Sequence, residues 1–305
     1  MSFELTILGC SSATPTRTRH QSSHFININN KYFLVDCGEG TQQQLRNFRI
    51  RLQQINHIFI SHLHGDHSQG LIGMVSTMHL LGRKEDLHIY GFIEGLKQII
   101  DVQLKYSETI LNYKIVYHNL RSDIPEKIYE DDSLTVETII LKHSLPCCGF
   151  LFAEKEKPRN IKKEFLEKEN IPFEMFNKIK SGEDYINPEG VFYKNEEITY
   201  PVHSPRKYAY CSDTMYTESI VPQIYGVDIL YHEATFTEDL KSAAKEKFHS
   251  TAFEAATIAK TANVKELIIG HYSARYKELD PLLNEARSIF KNTYLAEEGK
   301  KYCIS

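Results

Sequence analysis

Residues 58–67 read IFISHLHGDH and place four potential metal ligands directly after a short apolar strand. Imidazole and carboxylate groups at this density suit Zn²⁺ or Mn²⁺. His62 and His64 are two residues apart, so on an extended segment their side chains point the same way. Asp66 and His67 follow a turn at Gly65 and can face a second ion. The segment therefore predicts a metal site at the end of a strand.

Three more ligand-type residues, His143, Asp213 and His271, follow predicted strands further along the chain. Strand ends gather on one edge of a sheet, where a rigid scaffold presents its loops. With the first four residues they make seven ligand side chains. Two ions that share Asp213 as a bridge would each receive four protein ligands. A solvated histidine-rich turn would not explain the three downstream residues.

The order of the predicted elements indicates an α/β fold. Residues 3–8 read as a strand, and residues 24–28 and 32–36 read as a hairpin. Short strands then alternate with helices up to residue 141, and again from residue 207 to the end. The last part includes an Ala-rich helix over 251–260, with Ser250 or Thr251 as its N-cap.

A charged segment interrupts this pattern from residue 154 to about residue 202. Its first ten residues, 154–163, hold five basic and two acidic residues, a local charge of +3. We predict an insertion within one domain that spans residues 1–305. The inserted segment is expected to have too few apolar residues for a core of its own.

Composition restricts the class of protein. The chain has 305 residues, 41% of them apolar, and a net charge of −4, so global disorder and a uniformly basic nucleic-acid binder are excluded. No apolar run is long enough to span a bilayer, and the opening residues do not read as a signal peptide. The six cysteines form no C-x-x-C pair, which favours free thiols in a reducing cytoplasm.

The ligand pattern resembles the dinuclear zinc pattern of the metallo-β-lactamase superfamily, over essentially the whole chain outside the insertion. The resemblance implies an αββα sandwich of two mixed sheets with helices outside. It places Asp36 behind the ligands. It assigns the two zinc ions to His62, His64, His143 and Asp213, and to Asp66, His67, Asp213 and His271.

Four further segments narrow the resemblance to the ribonuclease Z family. They are Pro15–His20, His232–Phe236, Phe248–Thr251 and Gly270–Tyr276. The family implies a cytoplasmic, homodimeric enzyme with two Zn²⁺ per subunit. Such an enzyme removes the 3′ trailer from precursor tRNA and leaves a 3′-hydroxyl on the tRNA and a 5′-phosphate on the trailer. The resemblance further implies that the segment 154–202 is a flexible arm that grips the tRNA.

The family resemblance also implies roles for individual residues. Asp66 accepts a proton from the attacking water, and His249 protonates the leaving 3′ oxygen. Glu233 or His232 orients His249. The expected RNA contacts are Arg17, Arg19, Lys155, Lys157 and Arg159.

The chain departs from the family pattern at two places. His20 stands where the loop of the family usually ends in Asn. The segment Ile171–Phe176 stands where many relatives carry a Gly-Pro pair.

Three other functions are open to a chain with these features. A small-molecule hydrolase of the same superfamily, such as a lactonase or an arylsulfatase-type enzyme, would share the metals. It would have no need of a basic arm or of the loop Pro15–His20. A non-catalytic RNA-binding protein on this fold would be expected to lose ligands, and this chain has all seven. A flavodiiron redox protein typically carries a carboxylate within the histidine motif.

Overall fold

The computed structural model describes residues 2–200 and 204–304, which divide into two compact units. The core unit comprises the described parts of residues 1–130, 135–152 and 206–305. The arm unit comprises those of residues 131–134 and 153–205. The segment predicted as an insertion, residues 154–202, belongs to the arm unit as far as it is described. Its predicted end, Val202, lies outside the described residues.

The first sheet of the core unit is mixed, with the strand order β18-β1-β2-β3-β4-β5-β6. The predicted hairpin is confirmed, because β2 and β3 pair antiparallel around Asn29 and Asn30. These two residues have φ of 53° and 65°, a left-handed backbone that asparagine adopts more readily than most residues. The strands are β1 (Phe3–Gly9), β2 (Ser23–Ile28), β3 (Lys31–Val35), β4 (His57–Phe59), β5 (Leu87–Gly91), β6 (Ile115–Asn119) and β18 (Lys301–Cys303).

The second sheet also has seven strands, in the order β17-β16-β15-β14-β9-β8-β7. Strands β14 to β17 run parallel to one another, and β7 pairs antiparallel with β8. The strands are β7 (Lys127–Glu130), β8 (Leu134–Ile140), β9 (Cys148–Glu154), β14 (Lys207–Cys211), β15 (Ile229–Glu233), β16 (Glu266–Gly270) and β17 (Thr293–Leu295).

The sequence analysis does not predict β7 and β9. Strand β7 has only four residues, none of them fully buried, so its pattern is weak. Strand β9 is largely buried, so it lacks the polar–apolar alternation by which a half-buried strand is recognised. Only the tertiary structure therefore identifies these two strands.

Aromatic side chains join the two sheets. Phe33 and Phe59 of the first sheet pack against Phe152 and Phe150 of the second, with ring centroids 5.6 Å and 5.4 Å apart. Pairs in this range contribute about 0.5–1.5 kcal/mol beyond their buried area. The sheets thus form the two inner layers of a sandwich.

Helices cover the outer faces, so the predicted αββα sandwich is confirmed. The first sheet packs its apolar residues against α1, α3 and α4, and the second sheet contacts α10 and α11. The helices of the core unit are α1 (Thr41–Asn47), α2 (Gly65–Ser68), α3 (Gly70–Leu80), α4 (Ile93–Tyr106), α8 (Val221–Ile224), α9 (Lys241–Glu246), α10 (Ala252–Thr261) and α11 (Asp280–Ile289).

Helix α10 begins with a capping box. The Thr251 side chain accepts a hydrogen bond from the Glu254 backbone, and the Glu254 side chain accepts one from the Thr251 backbone. Thr251 rather than Ser250 is therefore the N-cap. Ser250 instead donates its hydroxyl to the Thr214 carbonyl at 2.6 Å. These bonds fix the backbone directly after His249.

The arm unit contains four short strands and three helices. They are β10 (Asn160–Ile161), β11 (Tyr185–Ile186), β12 (Phe192–Tyr193), β13 (Thr199–Tyr200), α5 (Lys163–Lys168), α6 (Phe173–Lys180) and α7 (Asn195–Ile198). The expectation that the insertion lacks a core is wrong. Phe165, Ile171, Ile179, Tyr185 and Ile198 form a buried cluster. These residues are scattered over more than thirty positions without a regular period, which hides the core in the sequence.

Among the helices described here, none has both the length and the apolar character needed to cross a lipid bilayer.

Candidate metal centre

The seven predicted ligands all follow strand ends of the core unit. His62 and His64 come after β4, and Asp66 and His67 lie in the one-turn helix α2. Strands β8, β14 and β16 are followed by His143, Asp213 and His271, respectively. Each of these three residues shares a group of ligand atoms with residues of the motif at 62–67. The tight packing at this edge needs glycine, since a Cβ on Gly70 would lie 2.1 Å from a neighbouring backbone oxygen.

One group of ligand atoms comes from His62, His64, His143 and Asp213. The Nδ1 atom of His64 lies 3.0 Å from Nε2 of His62 and 3.1 Å from Nε2 of His143. Oδ2 of Asp213 lies 3.6 Å and 3.8 Å from the same two Nε2 atoms. Four donors from distant parts of the chain thus converge on one point.

A second group comes from Asp66, His67, Asp213 and His271. The two Nε2 atoms, of His67 and His271, are 3.4 Å apart. Each lies 3.2–3.4 Å from Oδ2 of Asp66 and from Oδ1 of Asp213. Asp213 therefore turns one carboxylate oxygen to each group, which is the arrangement of a bridging ligand.

The spacing of these atoms fits a tetrahedral metal ion. Zinc binds nitrogen and oxygen at about 2.0–2.2 Å, so tetrahedral ligand atoms are about 3.3–3.6 Å apart. Most of the contacts above are close to that range. Hydrogen bonding cannot account for the first group, because Nδ1 of His64 faces two ring nitrogens and can share a proton with only one of them. The donor chemistry and spacing of the cluster are therefore those of residues that could hold a metal ion.

In three of the ligand histidines, Nδ1 points away from the cluster and is hydrogen-bonded. This bond determines that the other ring nitrogen, Nε2, is the one available to a metal. Nδ1 of His143 donates to the Phe248 carbonyl at 3.1 Å, and Nδ1 of His271 contacts the Thr235 hydroxyl at 2.8 Å. Nδ1 of His62 contacts the Ser61 hydroxyl at 3.0 Å. Each of these rings then presents an unprotonated Nε2 to the cluster, the form that binds metal.

Asp36 is the centre of this supporting network. It is fully buried and accepts from the Ser61 backbone at 2.7 Å, the Ser61 hydroxyl at 2.9 Å and the Tyr210 hydroxyl at 2.6 Å. Its Oδ2 also lies 2.7 Å from Nδ1 of His67. The position predicted for Asp36, behind the ligands, agrees with this geometry.

Burial and charge set the protonation of the ligands. Burial, helped by nearby His67, lowers the pKa of His62 well below its ordinary value, and burial also lowers the pKa of His143. Burial alone would raise the pKa of Asp213, but His271 and His67 lower it well below the ordinary range. Neutral imidazoles at His62 and His143 and an ionised carboxylate at Asp213 are therefore the favoured forms. At His67 burial is outweighed by the carboxylates of Asp213, Asp66 and Asp36, which raise its pKa well above the ordinary value.

His249 and Glu233 form a pair beside the cluster. Nδ1 of His249 lies 2.9 Å from Oε1 of Glu233. Glu233 is itself fixed by the Thr214 backbone at 2.8 Å and the Thr235 hydroxyl at 2.6 Å. Although burial opposes it, the Glu233 carboxylate raises the pKa of His249 to about 9. His232 does not share this position, because its ring contacts the Glu233 carbonyl instead.

A cavity of about 520 Å³ opens over both ligand groups and His249. Its cationic lining side chains are Lys247 and Arg275, and Phe236 contributes apolar surface. Cavities of this size are typical of small-ligand sites. The space can therefore hold a small ligand, or part of a larger one, next to the candidate ligand residues.

The predicted RNA contacts of the first loop lie elsewhere. Arg17 is exposed, and neither Arg17 nor Arg19 is among the described residues that line the cavity. Arg19 is half-buried and donates from Nη2 to the Tyr276 carbonyl at 2.7 Å. His20 contacts Glu298 through its ring at 2.8 Å. This loop is therefore tied to other parts of the core unit.

The other predicted RNA contacts, Lys155, Lys157 and Arg159, belong to the arm unit and are half-buried. Nε of Arg159 donates to the Thr199 hydroxyl at 2.7 Å, and Nζ of Lys157 lies 3.8 Å from Glu154. Part of the positive charge seen in the sequence is thus used within the arm. Their contact with RNA stays a prediction.

Sequence reasoning missed several supporting residues, namely Ser61, Tyr210, Thr214 and Thr235. Each is a polar residue at the end of a strand or in the segment directly after it. A hydroxyl at a buried strand end, next to a ligand, is a signal that could have identified Ser61. Tyr210 looks like an ordinary strand residue, and only the packing of the two sheets brings it to Asp36.

Comparisons with known proteins agree with this geometry. A family model described as "Anti-Pycsar protein Apyc1" matches residues 3–158, which include the motif at 62–67 but neither Asp213 nor His271. Full-length similarity is found to proteins named Ribonuclease Z. The chain is 48% identical to that of Bacteroides fragilis over 303 residues, covering 99% of both chains. It is 46% identical to that of Porphyromonas gingivalis over 296 residues, covering 97% of both.

Solved structures give the same picture. The crystal structure of human tRNase Z, short form, matches with a TM-score of 0.72 and 26% identity, covering 99% of both chains. The metallo-β-lactamase fold protein YhfI from Bacillus subtilis matches with a TM-score of 0.70 and 18% identity, covering 99% of this chain and all of that one. The second likeness concerns the fold alone.

Replacing Asp36 by Asn should weaken metal binding. The amide must place its NH₂ group either against the Ser61 backbone N–H or against the three donors at Oδ2, which include Nδ1 of His67. It also lacks the negative charge of the carboxylate, so the support of the His67 ring is weakened in either orientation. Partners of this kind typically contribute about 10–100-fold in metal affinity. Competition with a coloured chelator measures the change.

The matched control is Asp228→Asn. Asp228 is also buried and accepts a backbone hydrogen bond from Lys207, but it precedes β15 rather than following it. Its metal affinity should equal that of the unmodified protein. An equal loss in both variants would show that the effect is general destabilisation.

Proposed function

The chain belongs to the ribonuclease Z family, and we propose that it is a dinuclear zinc endoribonuclease that removes the 3′ trailer from precursor tRNA. The products are a tRNA with a 3′-hydroxyl and a trailer with a 5′-phosphate. The observation that carries the proposal is the pair of ligand groups joined by Asp213, with the His249–Glu233 pair beside them.

The seven ligand residues would hold two zinc ions. His62, His64, His143 and Asp213 would bind one, and Asp66, His67, Asp213 and His271 the other. Bound zinc lowers the pKa of water towards neutrality and stabilises charge on a phosphate oxygen. Seven residues fill eight ligand positions because Asp213 contributes one oxygen to each group. Two ions with four protein ligands each are therefore expected.

Asp66 and His249 carry the proton transfers. Asp66 uses Oδ2 in the ligand group and can accept a proton from the attacking water. His249 carries a proton at neutral pH because Glu233 raises its pKa, and it lines the same cavity as the ligands. It is therefore placed to protonate the leaving 3′ oxygen of the tRNA. Glu233 orients the ring of His249 and keeps it protonated.

The arm unit is proposed to grip the tRNA. It carries the window 154–163 with its charge of +3, in a chain of net charge −4. It also has a core of its own, so it can present those charges on a folded surface. This division of work assigns the chemistry to the core unit and affinity for the RNA backbone to the arm unit.

We also propose a cytoplasmic homodimer. Exposed apolar side chains occur on α3, on α4 and in the loop after α4, including Tyr106 at 80% and Ile110 at 87% exposure. Apolar surface of this kind commonly marks an interface. A sedimentation mass near twice 35.3 kDa would support the dimer. The six free cysteines are consistent with a reducing compartment.

Purified protein should cut a trailer-bearing precursor tRNA at one position near the 3′ end of the tRNA. Treatment with a metal chelator should abolish the cut, and added Zn²⁺ or Mn²⁺ should restore it. Product ends are identified by labelling the 3′-hydroxyl and the 5′-phosphate. If the metal-loaded protein hydrolyses lactones or aryl esters but leaves the RNA intact, the small-molecule hydrolase is the correct function.

His249→Ala should slow cleavage of precursor tRNA by about 10²–10⁴-fold, the usual contribution of a general acid. Metal content should stay unchanged, because His249 is not one of the seven ligands. Asp66→Ala should instead abolish cleavage and lower the metal content. Cleavage by His249→Ala at the unmodified rate would remove the assigned role.

Removal of residues 155–200, with a short flexible linker in their place, should raise the KM for precursor tRNA. Hydrolysis of bis(p-nitrophenyl) phosphate should be largely spared, since that ester needs only the core unit. The response of the KM to salt should also flatten, by about one unit of slope for each lost phosphate contact. Equal losses on both substrates would mean that the arm supports the active site instead of binding RNA.

A further inference from the structure

The loop Gly270–Tyr276, which we call the Arg275 loop, leads from the ligand His271 to the wall of the cavity. It is held on both sides by other segments. The Ser12 backbone donates to the Tyr272 carbonyl at 3.0 Å, and the Tyr276 hydroxyl contacts the Thr237 backbone at 3.0 Å. The position of the loop is therefore fixed relative to the ligand groups.

Arg275 is exposed at the wall of the cavity, but one face of its guanidinium is covered. The guanidinium carbon lies 4.9 Å from the centre of the Phe236 ring, and Phe236 is only 2% exposed. Nε of Arg275 also donates to the Ser273 hydroxyl at 3.2 Å. The group is thus supported from behind, and no described residue forms a hydrogen bond with its terminal NH₂ groups, which are available to a ligand together with its outer face.

Arg19 reaches the same loop from the segment Pro15–His20. Its Nη2 donates to the Tyr276 carbonyl, the residue next to Arg275. Its Nε is buried without a hydrogen-bond partner among the described residues. Its backbone N–H donates to the Thr16 hydroxyl at 3.0 Å, which keeps the loop bent. The guanidinium of Arg19 is therefore directed into the protein.

We propose that Arg275 binds the RNA nucleotide beside the scissile phosphate, and that Arg19 is a positioning residue that holds the Arg275 loop. The inference rests on the proposed function, because it assumes an RNA substrate in the cavity. It reassigns Arg19, which the sequence predicts as an RNA contact.

The chemistry of the site favours an unpaired nucleotide. A planar guanidinium can stack on a base with its open face and donate two hydrogen bonds to a phosphate at its edge. The trailer must be single-stranded where it is cut, so its bases are free to stack. Lys247, which also lines the cavity, offers only a point charge. Arg275 is therefore the residue equipped to orient the chain.

A double-mutant cycle on RNA affinity separates positioning from contact. The ligand is a precursor tRNA in which CH₂ replaces the bridging 3′ oxygen at the cut, so that it binds without being cleaved. The Kd is measured over a series of salt concentrations for the metal-loaded protein and for Arg275→Ala, Arg19→Gln and the double variant. Melting temperature and metal content report on folding.

Arg275→Ala should raise the Kd by at least about fivefold, the lower end for loss of one base-stacking contact. It should also reduce the salt slope by about one unit. Arg19→Gln should raise the Kd without changing that slope. The double variant should match Arg275→Ala, because residues that act through one another do not add. Arg51→Ala, an exposed arginine outside the cavity, is the control and should bind as the unmodified protein does.

The conservative variants give an independent readout. Arg19→Lys keeps the charge but loses the planar donor to the Tyr276 carbonyl, so it should bind as weakly as Arg19→Gln. Phe236→Leu should weaken binding with the salt slope unchanged. Additive losses in the double variant, or normal binding by Arg19→Lys, would show that Arg19 contacts RNA itself. Normal binding by Arg275→Ala would overturn the assignment of Arg275. Because binding is measured, protein that binds but fails to cleave natural precursor tRNA would contradict the proposed function alone.

Discussion

The carboxylate of Asp213 is the constraint on which the site depends. It is almost fully buried, and its two oxygens face two different groups of histidine nitrogens at 3.2–3.8 Å. A buried carboxylate is costly unless it is paired. Here the pairing comes from ligands on both sheets, so the charge of one side chain requires the two halves of the sandwich to meet correctly. The rest of the site surrounds that carboxylate.

A chain of buried polar contacts extends this constraint to the reacting groups. Asp36 holds Ser61 and His67 on one side and receives Tyr210 from the other sheet. Thr235 links His271 to Glu233, and the Glu233 carboxylate contacts the ring of His249 and favours its protonated form. Buried networks of this kind stabilise only when every member is satisfied. Buried polar contacts therefore position both the candidate ligands and the His249–Glu233 pair.

The sequence predicts the parts of the molecule that are encoded locally. The run at 58–67, the hairpin around Asn29 and the helix start at Thr251 each show a short-range pattern, and the structure has all three elements. The packing partners of Asp36 and the support of Arg275 by Phe236 depend on residues far apart in the chain, and no local pattern marks them. The core of the arm was missed because its five apolar residues follow no period. A loop arginine such as Arg19 looks free in the sequence, and only the fold brings the Tyr276 carbonyl to it.

The central claim is that Asp213 bridges two metal ions. Anomalous diffraction at the zinc edge, from crystals grown with zinc, tests it most directly. The account predicts two peaks in each chain, one beside Oδ2 of Asp213 with His62, His64 and His143, and one beside Oδ1 with Asp66, His67 and His271. A single peak, or two peaks of which only one contacts Asp213, would contradict it.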